Sequence, residues 1–168
     1  LRKYPEEVLF ARSIKAIRNN HEKHCLSAIL TLEDGRIVDG RLENLQRFYD
    51  KGVRLITLTW NYENCFGFPN SEKEDRMAKG LKNFGFEAIA EMNRLGILVD
   101  VSHLSDGGFY DVAKACKRPF VASHSNARAI APHPRNLTDD MIRVLAEHGG
   151  VAGLNLEGYF LNPDIRDA

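Results

Sequence analysis

Short apolar runs alternate with helix-like segments along most of this chain of 168 residues. In the helix-like segments, apolar residues recur every three or four positions, which is the spacing of an amphipathic helix. The runs between them are almost continuously apolar, which is typical of strands that are buried on both faces. Because parallel neighbours need a long crossover connection, this alternation predicts a parallel sheet covered by helices.

Five strands and five helices are predicted, and the chain is expected to begin with a helix. Each crossover between strands should be right-handed. A polar loop is predicted from Asn61 to about Lys79. The predicted strands are Cys25–Leu32, Val53–Thr59, Ile97–Val101, Phe120–Ala122 and Val151–Leu156. The predicted helices are Glu6–Asn20, Leu42–Tyr49 with Gly52 as its C-cap, Phe84–Leu95 with Gly96 at its end, Asp106–Cys116 and Thr138–Glu147.

Units of this kind build either an open doubly wound sheet or a (β/α)8 barrel. A complete barrel takes about 250 residues. Five strands in 168 residues are too few to close one. A start with a helix suggests that a preceding segment was removed.

The composition excludes several classes of partner. Lys plus Arg and Asp plus Glu number 23 each, so no basic excess favours nucleic acid or an anionic membrane surface. The apolar stretches are far shorter than the roughly 20 residues of a membrane span. The three cysteines, Cys25, Cys65 and Cys116, form no CxxC pair and are interpreted as buried or free thiols, which fits a reducing compartment.

Five residues follow the predicted strands where parallel α/β folds place their working groups, and three of them can bind a metal. These residues are Glu33, Trp60, His103, His124 and Asn155. Two of them close matched Ser-His blocks that lie 21 residues apart, so two imidazoles and the carboxylate of Glu33 should reach one cation. Zinc accepts nitrogen and oxygen ligands, and catalytic zinc keeps a position open for water. The sequence therefore predicts a metal site formed by Glu33, His103 and His124.

A different interpretation applies to each histidine taken singly, because a lone histidine at a strand end is more often a hydrogen-bonded structural residue. His21, His24 and His148 lie at predicted helix ends, where an imidazole favours the helix dipole. His133 lies between two prolines in a loop and is not assigned a function.

The loop Ala131–Asn136 contains two prolines and presents Arg135 directly after the second Ser-His strand. A guanidinium in that position could pair with a substrate carboxylate in a bidentate manner. It could equally cap a neighbouring carbonyl, and the sequence leaves both roles open.

Five further stretches are informative together: Leu30–Gly35, Gly52–Thr59, Asn93–His103, Ser123–Ala127 and Arg135–Asp140. In this order and spacing, they resemble the membrane dipeptidase (renal dipeptidase) family, the zinc dipeptidases of the amidohydrolase superfamily. The resemblance extends from about Cys25 to Phe160, which is nearly the whole chain.

The resemblance implies a (β/α)8 barrel with two zinc ions at the strand mouths. By the same resemblance, Glu33 bridges both ions, His103 and His124 bind the second ion, and Arg135 binds the carboxylate of a dipeptide substrate. The implied reaction is hydrolysis of the peptide bond by a metal-bound hydroxide. Asp100, Ser102 and Ser123 are further candidates to support the ligands, although both serines could equally be small core residues.

The family also has a His-x-Asp pair on its first strand and an Asp on its last strand, which bind the first zinc. This chain has no His-x-Asp and stops at Ala168. The resemblance therefore implies a central fragment or a truncated relative with strands three to seven, half of the binuclear site and one zinc site at most. No catalytic residue is assigned, and exposed strand edges favour a partner segment or a homo-oligomer.

Trp60 stands where the best-known members have a substrate-binding histidine, so that role is not assigned to it. The Trp-Asn pair resembles bacterial relatives, for which a cytoplasmic location is favoured. Two alternatives of other classes stay open. One is a non-catalytic barrel remnant that acts as a binding scaffold, and the other is a metal-dependent barrel hydrolase such as a phosphoesterase or a lactonase.

Overall fold

The computed structural model describes residues 3–162 and 164 of the chain. The strands are β1 Val8–Phe10, β2 Leu26–Ala28, β3 Leu30–Glu33, β4 Val53–Thr57, β5 Leu98–Asp100, β6 Val121–Ala122 and β7 Val151–Ala152. The helices are α1 Ile14–Glu22, α2 Leu42–Lys51, α3 Glu74–Met77, α4 Asn83–Leu95, α5 Asp106–Ala115, α6 Asp139–Glu147 and α7 Gly158–Leu161, with a 3-10 turn at Gly35–Val38.

The main sheet has five strands in the order β3-β4-β5-β6-β7, and every neighbouring pair is parallel. Each strand pairs with the next one along the chain, so the winding direction does not reverse within the sheet. A doubly wound sheet contains such a reversal, whereas a (β/α)8 barrel does not. The predicted α/β fold with five parallel strands is therefore confirmed, and the carboxyl ends of all five strands share one edge.

The predicted helix Glu6–Asn20 is wrong in its first half, because the structure begins with strand β1 rather than with a helix. Val8, Leu9 and Phe10 pair in parallel with β2. Branched and aromatic side chains of this kind favour strands. Helix α1 starts only after Ser13, whose hydroxyl accepts a hydrogen bond from the backbone N–H of Ala16 at 3.1 Å.

The predicted strand Cys25–Leu32 is two strands that belong to different sheets. β2 pairs with β1 in a two-stranded sheet, whereas β3 pairs with β4. The register of the second pair shifts between Leu30 and Thr31, so the run is not one regular strand. The predicted loop after Asn61 likewise contains a short helix, α3.

Glycines end two of the predicted helices as expected. Gly52 follows α2 with a φ of 104°, and Gly96 follows α4 with a φ of 83°. Both lie in the left-handed region, which glycine adopts without a steric penalty. These sharp ends return the chain into β4 and β5.

The core lies between the sheet and its helices, of which α2, α4, α5 and α6 pack side by side in that order. Phe66, Phe109 and Phe120 are its largest fully buried side chains. Branched residues of the central strands, such as Ile56 and Val99, pack with them. Among the helices that the structure describes, none is both long and apolar enough for a membrane span.

Candidate metal centre

Three side chains from three βα units meet at the carboxyl edge of the main sheet. Glu33 ends β3, and His103 and His124 follow β5 and β6. The two Nε2 atoms lie 2.9 Å apart, and each lies 3.3 Å from Glu33 Oε1. Tetrahedral zinc with ligands at about 2.1 Å has ligand atoms about 3.4 Å from one another. The structure thus brings together the three predicted ligands with a spacing that suits one small cation.

His103 occupies a conformation that is unusual for a residue with a side chain. Its φ is 71°, in the left-handed region, which costs a non-glycine residue on the order of 1 kcal/mol. Its carbonyl accepts hydrogen bonds from the side chains of Thr59 and Asn70 and from the Asn70 backbone N–H. This local backbone arrangement fixes the turn that aims the imidazole at Glu33.

The imidazole of His103 is neutral at physiological pH. Burial is the main cause that lowers its pKa to about 3, and the neighbouring Arg135 and His124 contribute to the same shift. A neutral imidazole can offer a lone pair to a metal. Its Nδ1 is buried and has no hydrogen-bond partner among the described residues.

His124 is held by a chain of hydrogen bonds that starts at Asp100. Ser123 Oγ lies 2.6 Å from Asp100 Oδ2 and 2.7 Å from His124 Nδ1. Because an ionised carboxylate only accepts, Ser123 donates to Asp100 and accepts from His124 Nδ1–H. This bond favours the tautomer that carries its proton on Nδ1, in which the lone pair of Nε2 faces Glu33.

Asp100 is fully buried, and its carboxylate accepts four hydrogen bonds. Besides the Ser123 hydroxyl, the donors are Thr57 Oγ1 at 2.6 Å and the backbone N–H groups of Ser102 and Ser123 at 3.1 and 2.9 Å. Ser102 Oγ in turn accepts from the His124 backbone N–H at 3.0 Å. Thr57 was not predicted from sequence, although a threonine in a buried strand needs a hydrogen-bond acceptor.

Arg135 lies beside this centre and is only 7% exposed. Its Nη2 donates to the carbonyl of His124 at 3.3 Å, and its guanidinium carbon lies 5.6 Å from the ring centre of Phe160. Burial lowers its pKa to about 10, although Asp100 and Glu33 oppose the shift. Within the described part of the chain, no carboxylate lies within ion-pair distance of this guanidinium. The buried guanidinium of Arg135 caps the carbonyl of His124, and its remaining N–H groups could bind a ligand.

His103 and Arg135 line one open cleft of about 750 Å³. Trp60 forms part of its wall, and its ring centre lies 6.4 Å from that of His103. Asn155 also lines the cleft, but its Oδ1 accepts from the Glu157 backbone and serves the local turn. The other lining residues are Asn61, Asn70, Glu72, His133, Glu157, Tyr159 and Phe160.

The other histidines lie outside the three-residue cluster. His21 is exposed on α1. His148 is not a solvated helix-end residue, because its two ring nitrogens lie 2.8 and 2.9 Å from the carbonyls of Val144 and Ala113. Its ring also packs on Phe120, so this histidine joins α6 to α5.

Comparison with known proteins identifies the family of this chain. The family model described as membrane dipeptidase (peptidase family M19) matches residues 1–167. A protein encoded in the pqqA 5' region of Klebsiella pneumoniae is 38% identical over 156 residues, which cover 89% of this chain and 56% of that protein. An uncharacterized dipeptidase of Schizosaccharomyces pombe is 38% identical over 150 residues, which cover 89% of this chain and 35% of that protein.

A solved structure extends the likeness to three dimensions. The metallo peptidase of Rhodobacter sphaeroides, liganded with a phosphinate mimic of the dipeptide L-Ala-D-Ala, has a TM-score of 0.90 and 32% identity over 99% of this chain and 48% of that one. The likeness confirms the predicted partial TIM-type barrel. The chain spans about half or less of the length of these relatives. By sequence and by structure, it belongs to the membrane dipeptidase family, peptidase family M19.

Proposed function

We propose that the protein is a zinc-dependent dipeptidase whose reaction takes place in the cleft between His103 and Arg135. The observation that carries the proposal is the pairing of two features in one cleft. Three candidate ligand atoms lie within 4.8 Å of one another, and one of their residues, His103, lines the same cleft as a buried guanidinium without a close carboxylate partner. A dipeptide has a carbonyl that a metal polarises and a terminal carboxylate that a guanidinium binds.

The donor set fits zinc better than a hard cation such as Mg²⁺, because two of its three atoms are imidazole nitrogens. Zinc supplies Lewis acidity and lowers the pKa of water towards neutrality when bound. In this chain, His103 and His124 would hold the ion through Nε2. Glu33, with a side chain that is 54% exposed, would add an oxygen.

Arg135 would position the substrate. Its guanidinium donates to the carbonyl of His124, so a carboxylate bound by the remaining N–H groups lies next to the metal ligands. A single C-terminal residue would then separate the bound carboxylate from a scissile bond at the metal. This arrangement favours dipeptides over longer peptides.

The test is hydrolysis of a dipeptide panel, together with N-acyl amino acids and phosphodiesters, by the intact protein loaded with zinc. We expect dipeptide turnover that a chelator abolishes and zinc restores. Glu33→Gln should lower kcat/KM by about 100-fold or more, because a charged ligand is lost while the side-chain volume is kept.

The matched control is His21→Ala, which removes an exposed histidine of α1 outside the cluster and should leave kcat/KM unchanged. Turnover that survives both complete chelation and Glu33→Gln would contradict the proposal. Preferential hydrolysis of phosphodiesters would also contradict it and would favour a metal-dependent phosphoesterase instead.

A further inference from the structure

His133 is a second polar side chain on the cleft wall, and its loop is built around it. Its Nδ1 accepts a hydrogen bond from the backbone N–H of Arg135 at 3.0 Å. One face of its ring packs on Phe160, with the ring centres 4.5 Å apart. The residue therefore has a fixed ring orientation beside Arg135 in the same cleft.

The hydrogen bond at Nδ1 determines which nitrogen carries the proton. A backbone N–H can only donate, so Nδ1 is the acceptor and Nε2 bears the hydrogen of the neutral ring. Burial and the nearby charges of Arg135 and Arg128 lower the pKa of His133, whereas Glu72 opposes the shift. Among the described residues, no hydrogen bond engages Nε2.

The loop that presents His133 and Arg135 is braced at several points. Asn136 Nδ2 donates to the carbonyl of Ala131 at 2.9 Å, and the Asn136 backbone donates to the carbonyl of His133. Arg128 donates to the carbonyl of Pro134 and forms a bidentate pair with Asp106, at 2.7 Å for each bond. A loop fixed in this way loses little entropy when it binds a ligand.

We propose that His133 is a second substrate-binding residue, whose Nε2–H donates to the terminal carboxylate that Arg135 holds. This inference rests on the proposed dipeptidase function and extends it. A carboxylate has two oxygens, and a guanidinium already engaged with a carbonyl leaves room for one further donor. A neutral imidazole supplies that donor without adding a second buried positive charge beside Arg135.

The test compares two substitutions that separate the ring nitrogens. His133→Asn keeps an acceptor near the position of Nδ1, so the loop hydrogen bond to Arg135 survives, but it removes the Nε2–H donor. His133→Gln restores a donor near the position of Nε2. The binding of alanylalanine and of its C-terminal amide to the intact zinc-loaded protein is measured by calorimetry, and hydrolysis of alanylalanine is measured in parallel.

We expect His133→Asn to weaken binding of alanylalanine about tenfold, which is the effect of one hydrogen bond to a charged group. Binding of the amide should change little, and His133→Gln should recover part of the loss. Equal weakening of both ligands by His133→Asn would show a merely structural role and overturn the inference.

The two proposals fail in different ways. If the wild type binds alanylalanine with the expected carboxylate preference and His133→Asn weakens that binding, but no hydrolysis occurs, the proposed function falls and the role of His133 stands. If hydrolysis occurs and His133→Asn leaves both affinities unchanged, only the role of His133 falls. If the wild type binds neither ligand, both proposals fall.

Discussion

Asp100 and His124 are linked through one shared hydroxyl group. Ser123 Oγ lies 2.6 Å from the carboxylate of Asp100 and 2.7 Å from His124 Nδ1. The negative charge of Asp100 therefore determines, through one serine, which nitrogen of His124 is free to bind a metal. A fully buried residue of β5 thus controls an atom at the edge of the sheet.

Ser123→Ala should weaken zinc binding while it leaves the fold intact. Without the hydroxyl, His124 Nδ1 loses its acceptor, and the tautomer with its proton on Nε2 becomes accessible. Loss of such a supporting partner typically lowers metal affinity about 10- to 100-fold. Calorimetric zinc titration measures the change, and Ser71→Ala, a serine away from the cluster, is the control. Equal affinities for wild type and Ser123→Ala would contradict the role of the hydroxyl.

Asp100→Asn should reduce the free energy of unfolding by about 3 kcal/mol, because an amide cannot accept from all four donors that surround this position. Chemical denaturation of the metal-free protein measures the loss. Asp111→Asn is a milder comparison, since Asp111 is partly exposed and accepts from Leu81 N–H. A loss no larger than that of Asp111→Asn would show that the buried charge is not needed.

Zinc binding should depend on the two clustered histidines. His103→Ala combined with His124→Ala removes two of the three ligand atoms and should abolish zinc uptake in calorimetry. A control that also changes two histidines combines His21→Ala with His24→Asn, because asparagine tolerates the φ of 57° at position 24. Equal uptake by the two double variants would exclude the predicted site.

The metal-free protein should lose stability in acid in part through His103. The pKa of this imidazole is about 3 in the folded state and about 6.5 in an unfolded chain. Between these two pH values, the unfolded chain therefore binds a proton that the folded chain does not bind. The contribution of His103 is fully present above pH 6.5 and is lost as the pH falls towards 3.

His103→Asn removes this titration and suits the left-handed backbone at position 103. The free energy of unfolding of this variant should fall less steeply between pH 6.5 and about 4 than that of the wild type. His21→Asn, at an exposed histidine of α1 outside the cluster, is the control. Parallel curves for His103→Asn and wild type would contradict the burial argument.

Gly35→Ala should destabilise the protein by about 1–3 kcal/mol and disturb Glu33. A Cβ at position 35 would lie 2.6 Å from Phe66 Cε2 and 2.9 Å from the carbonyl of Leu58. Phe66 is fully buried against Phe84 and has no room to move. Gly67→Ala is the matched control, because its Cβ would meet its nearest neighbours at 3.5 Å. Thermal unfolding of both variants measures the difference.

The sequence predicted the elements whose signals are local. The apolar runs of β4 and β5 and the glycines after α2 and α4 were sufficient to place those units. The error at Val8–Phe10 arose because three apolar residues in a row fit a helix face and a strand equally well. Only pairing with Leu26–Ala28, a contact distant in sequence, decides between them.

The site shows the same division. Glu33, His103 and His124 could be proposed from their positions after strands, because parallel strands bring such positions to one edge. The tautomer of His124 could not be predicted, since it depends on how Ser123 is placed relative to Asp100 on the neighbouring strand. The position of His133 Nε2 in the cleft could not be predicted, because the flanking prolines indicate a loop but do not show which way the ring faces.

The three candidate ligand atoms come from segments that are far apart along the chain: Glu33 and His103 are 70 positions apart, and His103 and His124 are 21 positions apart. An ion bound to all three would cross-link the chain and close two loops, one from Glu33 to His103 and one from His103 to His124. Such a cross-link restricts the unfolded ensemble more strongly than the folded one. Loading with metal should therefore fuse the β3, β5 and β6 units into one cooperative unfolding transition.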